Sequence, residues 1–349
     1  MQTKNFLIFG LNYIGDVLML TPAIRALKLK FPDANIYVLV SETAAPLLYR
    51  NPDVFKVIER KKHKGIANIL YLYNLYKELK KYNFYACINF LSSFEFALLS
   101  FFISKKRIGI SNFKTFLFYN YKIKNDKKIH NIDRALKFIG VFSITEKYNS
   151  RQLIYIPAEE DIKTAINLLK DSNIDTADAV GDKIVMFSPG STRSSKEANP
   201  ELFSLFAEYL NKLGYYVLIT GSKKDIPLAD KIYRLISNKK LTVNLTGITN
   251  IYVLGGLIKI SKLVVAVDNG VMHLASAINT PLIALFGSTD PAICGPENDR
   301  SYVIDKKTDC YHCFLNTCNK EGFLKNDYPD CMGNIELYDL TDAMKELKI

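Results

Sequence analysis

Four short stretches of the sequence hold residues whose types and spacing could do chemistry. In "AVDNGVMHLASAIN" (266–279), Asp268, Asn269 and Gly270 end an apolar run and open a helical pattern whose first turn carries His273. A carboxylate, a side-chain amide, free backbone N–H groups and an imidazole then share one small volume, a set suited to gripping a polar, anionic ligand. In "KIVMFSPGSTRSSK" (183–196), an apolar strand runs into Gly190, Ser191 and Thr192 ahead of a helix. Backbone N–H groups and hydroxyls can converge there on a phosphate, with the helix dipole behind them. Lys196 adds a formal positive charge, with Arg193 as a second candidate. Taken alone, Lys196 reads more readily as a solvated loop lysine.

Two carboxylates complete the set. Asp225 in "GSKKD" (221–225) follows the next strand, where an acidic residue could accept hydrogen bonds from a ribose, or could simply cap a helix. Asp16 follows Gly15 at the start of the first helix. A carboxylate facing a cleft can take the proton of a hydroxyl as that hydroxyl attacks. The competing role is an N-cap, and a helix N-terminus weakens a base. A further polar turn, "GSTDP" (287–291), would shape the neighbouring wall of the site. Neither GxGxxG nor GxxxxGK[ST] occurs, which disfavours nicotinamide dehydrogenases and P-loop enzymes.

The elements that must position these residues are legible as hydrophobic patterns. "NFLIFGL" (5–11) reads as a strand, residues 17–31 as a helix with Thr21 and Pro22 as an internal cap and first-turn proline, and "PDANIYVLV" (32–40) as a second strand. Strand, helix, strand with nearly all-apolar strands predicts a parallel sheet covered on both faces. The pattern recurs from residue 183: strand to 190, amphipathic helix 200–214, strand 215–221, then "LTVNLTG", a helix from Asn250, "LVVAV", a helix 271–279 and "PLIALFG". The turns at 190, 221, 247, 268 and 287 would all point to one rim, the carboxyl edge where open parallel sheets bind ligands. The polar stretch 155–182 contains one helix and marks a boundary, giving domains 1–165 and 166–349.

Composition narrows the function classes. The 349 residues suit two domains, and half-apolar, quarter-charged composition is that of an ordinary globular chain. The start lacks a signal-peptide pattern, and "FYACINFLSSFEFALLSFFI" (84–103), interrupted by Asn89, serines and Glu95, reads as strand plus helix, not a membrane span. The expected location is cytoplasmic. Residues 1–150 hold 24 Lys and Arg against 10 Asp and Glu, net +14, whereas the rest holds 22 against 25, net −3. The basic clusters at 56–64, 77–81, 105–107 and 122–128 would favour an anionic membrane surface or phosphorylated acceptor; the alternative is a lysine-rich, solvated face. No nucleic-acid recognition motif appears, so nucleic acid is not expected as a partner.

"DNGVMHLASAINTPLIALFGSTDPAICGP", with "GLNYIGDVLMLTPAIRALKLKFPDANI" and "SPGSTRSSKEANPELF", resembles glycosyltransferase family 9, the heptosyltransferases of lipopolysaccharide core synthesis. The resemblance covers both halves in the same order. It implies an α/β chain of two Rossmann-like, doubly wound parallel-sheet domains facing across a cleft, the GT-B arrangement. The acceptor, an anionic glycolipid or oligosaccharide, would bind the N-terminal domain and ADP-heptose the C-terminal one, at the cytoplasmic face of the inner membrane. Residue by residue, Asp16 matches the proposed base, Ser191 and Thr192 beside Gly190 the diphosphate turn, and Lys196 the lysine near diphosphate and sugar. Asp225 matches the ribose contact, and Asp268, Asn269, Gly270 and His273 the D-[ST]-G-x-x-H motif. The sequence departs from the family at "KEANP", where Lys-x-Trp-Pro is usual, and at Asn269, where Ser or Thr is common.

The implied reaction is a single inverting displacement, with helix N-termini and Lys196 stabilising the leaving diphosphate and no cofactor required for catalysis. A different nucleotide-sugar enzyme of this fold, such as an epimerase, and a non-catalytic nucleotide-sugar-binding protein are the alternatives. A cysteine-rich tail (310–331) stands apart: Cys310, Cys313, Cys318 and Cys331 form C-x2-C with two more thiols nearby. In a reducing compartment this spacing points to a structural zinc or iron ion, or to reduced structural thiols.

Overall fold

The computed structural model describes residues 3–61, 63–144, 148, 150–197, 199–310, 312–318, 324–325 and 328–349. The chain divides into two compact units, Met1–Tyr155 and Ile156–Ile349.

The first unit runs β1 (Asn5–Phe9), α1 (Ile14–Leu18), α2 (Thr21–Lys30), β2 (Asn35–Ser41), β3 (Lys56–Arg60), α3 (Ile66–Lys80), β4 (Phe84–Asn89), α4 (Phe94–Ile103), β5 (Ser104–Ile110), β6 (Tyr121–Ile123) and α5 (Asn131–Ile139). Its six strands pair in the order β3-β2-β1-β4-β5-β6, all parallel. The helix expected over 17–31 is two helices, α1 and α2. Pro22 lies in the first turn of α2 as expected, but Thr21 is not its cap: the N-cap position is Leu20, with no side-chain cap, and Thr21 Oγ1 donates back to the Leu18 carbonyl at 2.7 Å. Leu7, Phe9, Leu39, Cys87 and Phe96 are among the side chains of the core on one face of the sheet.

The second unit runs α6 (Glu159–Asp171), α7 (Thr176–Ala179), β7 (Ile184–Ser188), α8 (Pro200–Lys212), β8 (Tyr216–Ile219), α9 (Ile226–Leu235), β9 (Thr242–Asn244), α10 (Ile251–Ile260), β10 (Leu263–Val267), α11 (Gly270–Ile278), β11 (Leu282–Phe286), α12 (Pro291–Cys294), β12 (Ser301–Asp305), β13 (Leu324–Lys325), β14 (Tyr328–Pro329), α13 (Asp330–Gly333) and α14 (Leu337–Glu346). Its parallel order, β12-β11-β10-β7-β8-β9, repeats that of the first unit strand for strand. Every residue of β7, β10 and β11 is buried, as a sheet covered on both faces requires. The division falls after Tyr155, not at the expected 165, because α6 packs on α10: Gly256 lies directly against the Asp161 backbone and Ala165. The boundary stretch also holds α7 as well as the one helix expected there.

Six strands escaped the pattern reading: β3, β5 and β6 in the first unit, and β12, β13 and β14 in the second. β3 lies inside the basic cluster 56–64 and forms a sheet edge, and β5 contains "KKR". Lysine-bearing strands at or near an edge suppress pairing with other chains while they disguise the strand period. β6 is only three residues long.

Candidate functional site

In the second unit the chain winds to β8 on one side of β7 and later crosses to β10 on the other, so the sheet order reverses between β7 and β10. The carboxyl ends of those two strands are where an open parallel sheet opens a ligand crevice. β7 delivers Gly190 to Lys196 to that point, and β10 delivers Asp268. Lys196 Nζ lies 2.6 Å from Asp268 Oδ2, with side chains 14% and 7% exposed. Thr289, from the turn after β11, donates its hydroxyl to the same oxygen at 2.6 Å, and Cys294 Sγ lies 3.8 Å from it. Burial alone would raise the Asp268 carboxyl. Lys196, His273 and Thr289 outweigh burial and hold it below the usual carboxylate range. Burial and the Asp268 charge drive the Cys294 thiol well above its ordinary value, so it stays a neutral donor.

Asn269 binds two elements of its own fold together. Its Oδ1 caps α11 by accepting from Val271 N (2.9 Å) and Met272 N (3.1 Å). Its Nδ2 donates to Ser188 Oγ at 2.9 Å, the Ser188 carbonyl at 3.2 Å and the Gly190 carbonyl at 2.8 Å. The side chain therefore positions the Gly190 turn against α11, whereas a shorter Ser or Thr at this position could make the cap alone. Gly270 is the first residue of α11, and His273, 4% exposed, is buried on it.

Asp225 also organises turns. Its Oδ2 accepts from Ser222 N and Ser222 Oγ, both at 2.7 Å, and its carboxylate lies over Gly190. A Cβ at Gly190 would stand 2.3 Å from Asp225 Oδ1, so glycine lets the turns after β7 and β8 close on one another. Glu197, not anticipated from sequence, faces the same carboxylate, and burial with the Asp225 charge raises its carboxyl. Arg193 N approaches Ser191 Oγ at 3.4 Å, and Thr192 is exposed.

The loop 312–318 straps this rim. Ser195 Oγ donates to the Leu315 carbonyl at 2.6 Å and pairs with Ser288 Oγ at 2.9 Å, while Ser195 N donates to the Asn316 carbonyl at 3.2 Å. His312 N and Phe314 N reach the carbonyls of Gly287 and Ser288. The polar "GSTDP" turn was readable as a wall of the site; its partners 21 and 93 residues away were not.

In the first unit, Asp16 on α1 lines a pocket of about 190 Å³ at the corresponding rim, with Ser92, Asn125, Asn131 and Arg134 as polar neighbours and Leu11, Met19 and Phe138 among the apolar ones. A carboxylate and a guanidinium thus share one small cavity, and Arg134 is a second residue that sequence reasoning missed.

A family model described as glycosyltransferase family 9 (heptosyltransferase) matches residues 72–324. The chain belongs to glycosyltransferase family 9. It is 29% identical over 307 residues to lipooligosaccharide heptosyltransferase 2 of Haemophilus influenzae, covering 86% of this chain and 88% of that one. It is 30% identical over 303 residues to lipopolysaccharide heptosyltransferase 3 of Escherichia coli, covering 82% and 83%. Its fold matches the family 9 glycosyl transferase of Veillonella parvula with a TM-score of 0.86 at 21% identity, covering 99% and 98%. It matches the E. coli ADP-heptose heptosyltransferase II with a TM-score of 0.80 at 22% identity over the same shares. The protein is therefore a glycosyltransferase, with the two-domain α/β fold expected from its sequence.

The cysteines of this family 9 chain are unevenly placed. Cys331, on α13, is buried, and its sulfur lies with Met332 over Gly287; Cys310 and Cys318 are half-buried and Cys313 is exposed. Burial, then the neighbouring Cys310, Cys313 and Cys318, push the Cys331 thiol up to about 12. Among the described residues, no group of three or more His, Cys, Asp or Glu side chains is arranged to hold a metal ion. Among the described residues the expected zinc or iron ligand shell is thus not formed, although Cys310, Cys313 and Cys318 lie near enough to Cys331 to act on its thiol. No helix among the described residues is long and apolar enough to cross a membrane.

Proposed function

We propose that the protein transfers heptose, with inversion, from ADP-heptose to a lipopolysaccharide core or related anionic glycan acceptor. The Lys196–Asp268–Thr289 cluster at the switch point of the second sheet carries this reading. Asp268 holds the lysine ammonium beside the Gly190–Thr192 turn, where backbone N–H groups and a cation together suit a diphosphate. Such a cation is worth most when the leaving group gains charge.

In the first unit, Asp16 serves as general base and Arg134 as counter-charge for an anionic acceptor. The acceptor oxygen loses its proton to Asp16 as it bonds to the anomeric carbon. The bond from that carbon to the phosphate oxygen breaks, and ADP departs with the electron pair. Asp225 fits the donor's ribose through its free acceptor capacity, and the buried His273 supports Asp268 from α11. The resemblance and the relatives' names support the donor and acceptor classes; the basic first unit supports an acceptor held at the cytoplasmic face of a membrane.

The experiment is a panel of nucleotide sugars, assayed for consumption and for transfer to core oligosaccharide. ADP-heptose should be consumed only with acceptor present, and Asp16→Ala should lower turnover at least about a hundredfold. Consumption of another donor in its place sinks the sugar assignment. Near-full turnover by Asp16→Ala sinks the base assignment.

A further inference from the structure

The first unit carries an apolar surface that its own fold leaves uncovered. α3 buries only Leu75 and Leu79, leaving Ile66, Ile69, Leu70 and Tyr73 exposed on its outer side. α4, "FEFALLSFFI", is apolar around nearly its whole circumference, a pattern that belongs in a core or against lipid, yet Phe94, Phe101 and Phe102 stand open. Between the helices runs a groove of about 520 Å³, lined by Ile69, Leu72, Tyr76, Leu98 and Phe102 with the exposed Tyr73. Phe118 continues the surface by packing edge-on against Phe94 and Phe101, and in its loop Phe113 is 92% exposed and Leu117 70%. Contiguous apolar surface on this scale marks an interaction site.

Its margin is cationic. Lys77 stands 4.3 Å over the Tyr73 ring, Lys80 5.3 Å over Tyr76, Arg107 5.0 Å over Phe101 and Lys122 5.7 Å over Phe116. Residues 61–128 hold 14 Lys and Arg against three acids, Glu78, Glu95 and Asp126. Of these, Glu78 pairs with Lys56 at 3.6 Å and Asp126 with Lys137 at 3.5 Å, while Glu95 accepts from Asn68 at 2.8 Å.

We propose that the α3–α4 face and the 112–118 loop dock on an anionic phospholipid bilayer, with the aromatic and aliphatic side chains in the acyl boundary and the flanking cations at headgroup level. Charge complementarity selects this occupant. A second copy of the chain, meeting the face by two-fold symmetry, would press one basic margin against another. A bilayer of anionic lipid instead attracts each lysine and accepts each exposed ring, as interfacial surfaces do without spanning. The inference deepens the proposed function by placing its acceptor class at this surface, yet vesicle binding requires neither donor nor acceptor and so fails independently of it.

The test is flotation of the full-length protein with vesicles of phosphatidylcholine alone and with about 30 mol % phosphatidylglycerol. The protein should float with the anionic vesicles, at least about tenfold more weakly with the neutral ones, and weakly again in about 0.5 M NaCl. Leu70→Ser/Phe102→Ser, chosen from exposed positions so that the fold survives, should cut binding to anionic vesicles at least about tenfold with an unchanged melting temperature. Lys77→Glu/Lys80→Glu should cut it similarly. Absence of flotation with anionic vesicles overturns the proposal, as does parental binding by both double variants. A concentration-dependent dimer abolished by Leu70→Ser/Phe102→Ser would assign the face to a second copy instead.

Discussion

Lys196 and Asp268 sustain one another out of water, so removing one partner is costlier than removing both. Lys196→Met leaves a buried carboxylate uncompensated and should cost about 3–5 kcal/mol of stability, whereas Lys196→Met with Asp268→Asn should cost less, as a double-mutant cycle by urea unfolding would show. The pH dependence has a fixed sign. The Asp268 carboxyl is depressed in the folded protein, so its contribution is complete above the unfolded value of about 3.9 and is lost as pH falls through the folded one. Melting temperature should therefore fall less steeply below about pH 5 in the doubly substituted protein than in the parent. Thr289→Val deletes one hydrogen bond to a charged group, worth about 1.5–3 kcal/mol, and should slow transfer roughly tenfold or more in the nucleotide-sugar transfer assay.

Elements set where those residues meet, and Asn269 shows how. Asn269→Ser can keep the α11 cap but cannot reach Ser188 and Gly190, so it should raise the donor KM while costing little helix stability; Asn269→Ala should also lose about 1–2 kcal/mol of cap, measured by thermal unfolding. Cysteine placement gives a second contrast at this scale. Cys331→Ser places a hydroxyl beside Met332 and should cost about 1–3 kcal/mol, whereas the exposed Cys313→Ser should stay within about 0.5. Equal losses at both, with metal released, would mean that the thiols act as a ligand set. The strands bearing Asp268, Gly190 and Thr289 were legible because buried parallel strands are unbroken apolar runs ending in polar turns. Their strand order was not, and it alone brings Thr289 to Asp268 and Ser195 to Leu315. For the same reason the positioning role of Asn269 was not legible: spacing locates its backbone, and only the folded turn shows its amide bonded to Ser188 and Gly190. Arg134 stayed hidden among the lysines and arginines of a basic half, where one pocket-lining cation looks like the rest.

At the scale of the whole molecule, charge is divided between the units as sharply as the proposed roles are. Residues 1–155 hold 25 Lys and Arg against 10 Asp and Glu, net +15, and residues 156–349 hold 21 against 25, net −4. A field of that strength speeds the encounter of a basic surface with an anionic acceptor, and salt screens it, because the Debye length falls from about 10 Å at 0.1 M to about 3 Å at 1 M. In the proposed site the donor's diphosphate would, by contrast, meet a localised cation, Lys196, only 14% exposed and seated in a net-acidic unit. Buried partners are screened much less than exposed ones. Raising NaCl from about 0.05 to 0.5 M should therefore raise the acceptor KM several-fold more than the donor KM, with kcat nearly constant, when a soluble phosphorylated core oligosaccharide is the acceptor. Steady-state kinetics with each substrate varied in turn reads both constants. An equal rise in the two would mean that the +15 unit does not recruit the acceptor electrostatically. A rise confined to the donor would reverse the assignment of substrates to units.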